Sequence, residues 1–109
     1  MPKKSLLAVL FALLASPALA ADVPEFTLTI KDHLFTPAEL KVPAGQKVKL
    51  VVNNQDATPE EFESHDLNRE KVVAGHSKIS VFIGPLKPGA YEYFGEFNPK
   101  TAKGKIIVE

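Results

Sequence analysis

Hydrophobic and polar residues alternate along most of this chain in short runs separated by turn residues. "EFTLTIK" places Phe26, Leu28 and Ile30 on one side and Glu25, Thr27, Thr29 and Lys31 on the other, the period of two of a half-buried strand. "AELKV" is a second short strand, ended by Pro43. "PAGQ" is a turn, because Pro presets φ and Gly supplies positive φ. "KVKLVVNN" is a third strand with Val48, Leu50 and Val52 on one face. The polar "NNQDATPEEF" leads into a strand around Phe62. "EKVV" and "KISVFI", joined by "AGHS", read as a hairpin or as two packed edges. After "GPLKPGA" come an aromatic strand at Tyr91 and Tyr93, a loop, and a last strand within "GKIIV". "SHDLNREKV" has room for one helical turn at most. Seven or eight short strands spaced about ten residues apart predict an antiparallel all-β sandwich or barrel with one core.

The first twenty residues break this pattern. Lys3 and Lys4 precede an apolar run from Leu6 to Ala15, then Pro17 and Ala18-Leu19-Ala20. This is the layout of a secretory signal peptide cleaved after Ala20. The run is shorter than the ~20 residues that span a bilayer. Residues 1–20 are thus expected to be a leader and residues 21–109 the exported domain, in the periplasm. The two leader lysines belong to the 13 basic residues that balance 13 acidic ones, so the exported part is slightly acidic. Nucleic-acid binding, which needs a basic face, is not expected. The chain has no Cys, which excludes disulfides, a thiolate metal site and a Cys nucleophile.

"PEEFESHD" is the most unusual segment: Glu60, Glu61, Glu63, His65 and Asp66 fall within seven positions. On a strand Glu61, Glu63 and His65 share one face, and Phe62, Ser64 and Asp66 the other. Like-facing carboxylates repel unless they are solvated or neutralised, and a cation between them resolves that cost. Oxygen ligands with an imidazole suit iron, manganese or copper(II). A solvated acidic edge strand is the plainer account of the same residues. Phe62 facing the core sends Glu61 and Glu63 outward, and a bulge after Pro59 would be needed to turn either towards the loops. Adjacent Ser64, His65 and Asp66 cannot face one another as a catalytic triad, and no catalytic residue is assigned.

"FTPAELKVPAGQKVKLVVNNQD", "LKPGAYEYF" and the final "GKIIV" resemble, in order and spacing, the cupredoxins, so the expected fold is a cupredoxin-like Greek-key β-sandwich. That resemblance puts the type 1 copper Cys at Gly95, one His at Asn98, the Met near Ala102 and the upstream His at Glu60. All four ligands are replaced, and without a thiolate a blue copper centre is excluded. "NNQDATPEEFES", "REKVVA", "FIGPLKPGAYEYF" and "NPKTAKGKIIV" are similar to the cupredoxin domain of EfeO-type periplasmic iron-uptake proteins and to small FtrB-like periplasmic cupredoxins. This implies iron handling, with copper(II) as the other candidate ion. The implied partners are an inner-membrane iron permease and a second periplasmic iron-binding protein. It also implies that the loops bearing His33, Glu60 with Glu61, His76, and Glu96 with Asn98 gather at one end. The candidate metal ligands are therefore Glu61, Glu63, Glu96, His76, His33, His65 and Glu60, with Phe35, Phe94 and Phe97 fencing the site. A ferroxidase using bound copper(II) and a metal-free docking adaptor are the alternatives to a metal-binding accessory.

Overall fold

The computed structural model describes residues 22–109, so the proposed leader and its cleavage point lie outside the described residues. Among these residues nine strands form two sheets: β1 (Glu25–Lys31), β2 (Leu34–Thr36), β3 (Glu39–Val42), β4 (Val48–Asn54), β5 (Glu60–Ser64), β6 (Arg69–Val73), β7 (Ser77–Ile83), β8 (Gly89–Phe94) and β9 (Lys103–Val108). One sheet has the order β2-β1-β4-β7 and the other β3-β9-β8-β5-β6. β1 runs parallel to β4 and β3 parallel to β9, whereas the other paired neighbours are antiparallel. The arrangement is an all-β Greek-key sandwich.

The core follows from the alternation. Leu28 and Ile30 of β1, Val48, Leu50 and Val52 of β4, and Val81 and Ile83 of β7 meet Phe62, Val73, Tyr93, Ile106 and Val108 of the facing sheet. Phe35, Phe62 and Tyr93 form its aromatic centre: Phe35 stands edge-on to both, with centroids 6.4 Å and 5.0 Å away, and Phe62 lies 5.2 Å from Tyr93. Phe35 is therefore a core residue rather than part of a fence around a site. Its strand, β2, is three residues long, too short for periodicity to reveal.

"EKVV" and "KISVFI" do not pair as a hairpin. β6 is the edge of one sheet and β7 the edge of the other. Two side chains join these edges: Arg69 Nε donates to the Phe82 carbonyl at 3.0 Å and Lys71 Nζ to the Ser80 carbonyl at 3.3 Å. These bonds occupy acceptors on the open side of β7 that would otherwise be free to pair with another strand.

No bulge interrupts β5. Its register against β6 runs continuously from Glu60↔Val73 to Ser64↔Arg69. Glu60, Phe62 and Ser64 consequently face the core, and Glu61 and Glu63 the outer surface of the five-stranded sheet. Phe62 is fully buried and touches both other core aromatics. Replacing Phe62 with Ala should lower stability by about 3–5 kcal/mol, read as a reduced urea midpoint at unchanged slope.

Candidate metal-binding site

On the outer face of β5, Glu61 and Glu63 lie two residues apart along the strand. β6 places Glu70 opposite Glu63, and the loop after β8 contributes Glu96. One carboxylate oxygen from each of Glu61, Glu63, Glu70 and Glu96 lies within 4.8 Å of the others. Glu61 is 4% exposed although it belongs to an outward face, and Glu63 is half-buried, whereas Glu70 and Glu96 are open to solvent. Glu61 Oε1 and Glu63 Oε1 are buried without a hydrogen-bond donor. Buried polar oxygens are nearly always paired, so two unpaired carboxylate oxygens in one group are the chemical anomaly of this molecule.

Burial pushes the Glu61 carboxyl up to about 8, from an ordinary value of 4.5, and the neighbouring Glu63, Glu70 and Glu96 carboxyls and the charge on Glu63 act in the same direction. The group can relieve its repulsion by holding a proton on Glu61 or by holding a cation. Four oxygen donors and no sulfur suit a hard ion.

Glu60 sits on the other side of the strand and outside this group. It is 1% exposed. Its Oε1 accepts the Glu61 amide at 2.8 Å and the Phe97 amide at 3.1 Å, and its Oε2 accepts Asn98 Nδ2 at 2.8 Å. A methyl group at Gly95 would lie 2.5 Å from Glu60 Cδ. The Gly95 amide donates to the Ala102 carbonyl and the Ala102 amide to the Asn98 carbonyl, each at 2.8 Å. Glu60, Gly95, Asn98 and Ala102, the four positions matched to type 1 copper ligands, thus do converge. They carry no thiolate and no imidazole, and the Glu60 oxygens are engaged by protein donors. These residues do not fit a type 1 copper.

The three histidines stay outside the carboxylate group. His65 comes nearest: its Nε2 is 3.8 Å from Glu63 Oε2, its side chain is exposed, and its ring lies 5.5 Å from that of Phe94. His33 and His76 belong to neighbouring turns built around Asp56. The Asp56 carboxylate accepts the Asp32 and His33 amides at 2.8 Å and 3.0 Å, and the His76 amide donates to the Asp56 carbonyl at 2.9 Å. His33 Nδ1 stands 3.6 Å from Asp56 Oδ2. The His33 amide holds Asp56 below the usual carboxylate range; the Asp32 amide and the two imidazoles add to this, and burial opposes it. The predicted gathering of four loops with one set of ligands therefore divides into a carboxylate group on the sheet face and a His–Asp–His arrangement on the turns. Glu70 is the member that sequence reading missed. Its strand was recognised, but only the register shows that it stands opposite Glu63. Phe97, half exposed, lies beside Glu96, and Val72 stands opposite Glu61. A cleft of about 440 Å³ is lined by Glu39, Glu92, Phe94, Lys103 and Lys105 among others and contains none of the four carboxylates.

The Glu61 shift makes stability depend on pH. Between its ordinary value of 4.5 and about 8, the folded chain keeps a proton that the unfolded chain has released. Stability from this group is full below the lower value and is lost as pH rises through the upper one. Metal-free protein should therefore have a lower melting temperature near pH 8 than near pH 5, and Glu61→Gln should flatten that fall; thermal melts in metal-stripped buffer across this range check it.

The sequence matches the family described as Cupredoxin-like domain over residues 4–108. An uncharacterized protein of Rickettsia prowazekii (strain Madrid E) is 52% identical over 87 residues, covering 80% of this chain and 70% of that protein. The fold is similar to auracyanin A, a "blue" copper protein of Chloroflexus aurantiacus, with a TM-score of 0.69, 16% identity, and coverage of 81% of this chain and 100% of the other. It is also similar to the metal binding domain of the Streptococcus pneumoniae D39 Cu(I) exporting P-type ATPase CopA, with a TM-score of 0.69, 13% identity, and coverage of 84% and 91%. Amicyanin from Paracoccus versutus gives a TM-score of 0.61 at 18% identity, with coverage of 85% and 87%. With a family match across nearly its whole length and the two-sheet topology described above, this chain belongs to the cupredoxin-like domain family.

Proposed function

We propose that this protein binds a hard metal ion, iron in first place, as cargo in the Glu61–Glu63–Glu70–Glu96 group on the outer face of the sandwich. The observation that carries the reading is the buried Glu61 carboxylate, whose Oε1 has no hydrogen-bond partner, in a group where each of four glutamates offers one oxygen within 4.8 Å of the others. Such a group is costly in a chain that never neutralises it. Charged oxygen ligands favour Fe(III) over Fe(II), so the same site would assist oxidation if an electron acceptor were supplied; the four carboxylates themselves have no redox chemistry. Glu70 and Glu96, open to solvent, form the side through which the ion enters and leaves.

The resemblance of "NNQDATPEEFES" and its flanking motifs to EfeO-type and FtrB-like proteins supports a role in iron uptake. In that role the chain is exported to the periplasm by its leader. It works with an inner-membrane permease and a second iron-binding protein. A second reading, copper(II), draws on His65 beside Glu63, because an imidazole next to carboxylates suits that ion, and on the copper proteins among the structural neighbours.

Anaerobic calorimetric titration with Fe(II), Mn(II) and Cu(II) tests both. One ion per chain should bind, and Glu61→Gln with Glu63→Gln should weaken it by about a hundredfold or more, as expected when two charged ligands are removed. Preference for Cu(II) that His65→Ala abolishes would favour the second reading. Failure of well-folded protein to bind any of the three would turn the assignment to a metal-free docking adaptor.

A further inference from the structure

We infer that Glu60, which touches no ion in this reading, is the positioning residue that holds the two halves of the carboxylate site together from the opposite side of β5. The inference rests on the proposed metal site. Glu61 and Glu63 come from β5 and Glu70 from its hydrogen-bonded neighbour β6, so the ladder sets their spacing. Glu96 has no such support. The pairing of β5 with β8 is registered at one pair, Glu63↔Phe94, and β8 ends at Phe94. Beyond that point the loop at 95–98 must be brought to β5 by other means.

Glu60 supplies them. Its Oε1 accepts the amide of Glu61, a ligand, and the amide of Phe97, which follows the ligand Glu96. One oxygen atom thus ties the backbone on one side of the site to the backbone on the other. Its Oε2 holds Asn98 at the far end of the same loop. Gly95 leaves the room the carboxylate occupies, since a Cβ there would lie 2.5 Å from Glu60 Cδ. Within the loop, the Asn98 amide donates to the Gly95 carbonyl at 3.1 Å, which keeps it short and closed but does not reach β5. The Glu60 bonds are made by a side chain that is 1% exposed, where water does not compete. The inner end of the sandwich, where the resemblance would have placed a copper, is here given over to fixing a ligand on the outer face.

The role is a hydrogen-bond clamp rather than a charge, and the two can be separated. Glu60→Gln keeps an oxygen for both amides, and its NH2 can donate to the Asn98 side-chain oxygen once that amide turns over. Glu60→Ala removes all three hydrogen bonds. Mn(II) titration of the full protein followed by electron paramagnetic resonance, beside anaerobic Fe(II) calorimetry, reads both affinity and ligand geometry. Glu60→Ala should weaken binding about tenfold or more and change the Mn(II) zero-field splitting, whereas Glu60→Gln should stay within about threefold with an unchanged spectrum. Rapid hydrogen exchange at the Phe97 amide in Glu60→Ala, but not in Glu60→Gln, should accompany this. Equal affinity in all three proteins, or loss in Glu60→Gln as large as in Glu60→Ala, would overturn the clamp and leave the metal site standing. Absence of binding by the unsubstituted protein would overturn the site and this role with it. If Glu60→Ala does not fold, Asn98→Ala removes one of the three bonds; a loss of about threefold or more is expected, and unchanged affinity overturns the role.

Discussion

β5 is buried on both faces while carrying three glutamates, and the rest of the molecule is arranged around that constraint. An inner face that holds Phe62 against Tyr93 and Phe35 cannot also leave Glu60 unpaired, because an unbonded carboxylate in such surroundings is far more costly than any single packing contact. Two backbone amides and one side-chain amide therefore converge on it. Among the described residues no donor reaches Glu61 Oε1 or Glu63 Oε1 on the outer face. Glu61 and Glu63 keep an unpaired oxygen each, and Glu70 and Glu96 bring more negative charge rather than less. One strand thus treats its carboxylates in opposite ways: it satisfies the inner one with protein and leaves the outer ones for a proton or a cation.

This division separates the chain from a type 1 copper site built on the same architecture. The inner loop end remains a meeting point of Glu60, Gly95, Asn98 and Ala102, but the chemistry there is hydrogen bonding between protein groups. A thiolate at Gly95 would need the space that Glu60 already fills. The outer face offers only oxygen. An oxygen donor set favours a hard ion, and His65 stands at its margin, with Nε2 3.8 Å from Glu63 Oε2.

Second, the turns that carry His33 and His76 are organised by Asp56 rather than by the carboxylate group. Both residues, with Asp32, have positive φ, a conformation that costs a side-chain-bearing residue energy. The bonds to Asp56 help hold these turns in place. Asn54 secures the same region, donating to the Thr58 carbonyl at 2.8 Å and accepting the Asp56 amide at 3.0 Å. Histidine content alone could not distinguish such anchoring from ligation, since imidazole does both.

Alternation along "EFTLTIK" and "KVKLVVNN" was enough to define strands and their buried faces, because period two is a local property that each strand displays by itself. The absence of Cys settled the question of type 1 copper before any geometry, since no arrangement of other side chains replaces a thiolate. The acidic character of "PEEFESHD" was equally plain, as was the outward direction of Glu61 and Glu63 implied by Phe62. Three things depended on the tertiary structure. Burial of Glu61 on an outward face is set by packing around it and not by the alternation of its own strand. Glu70 joined the group only through the register Glu63↔Glu70, a pairing between strands that neither strand encodes alone. Glu60 parted from its neighbours because the clamp it makes spans 37 and 38 residues of chain. Local sequence determines which way a side chain points from its own strand; which partners meet it there is decided by how distant segments pack.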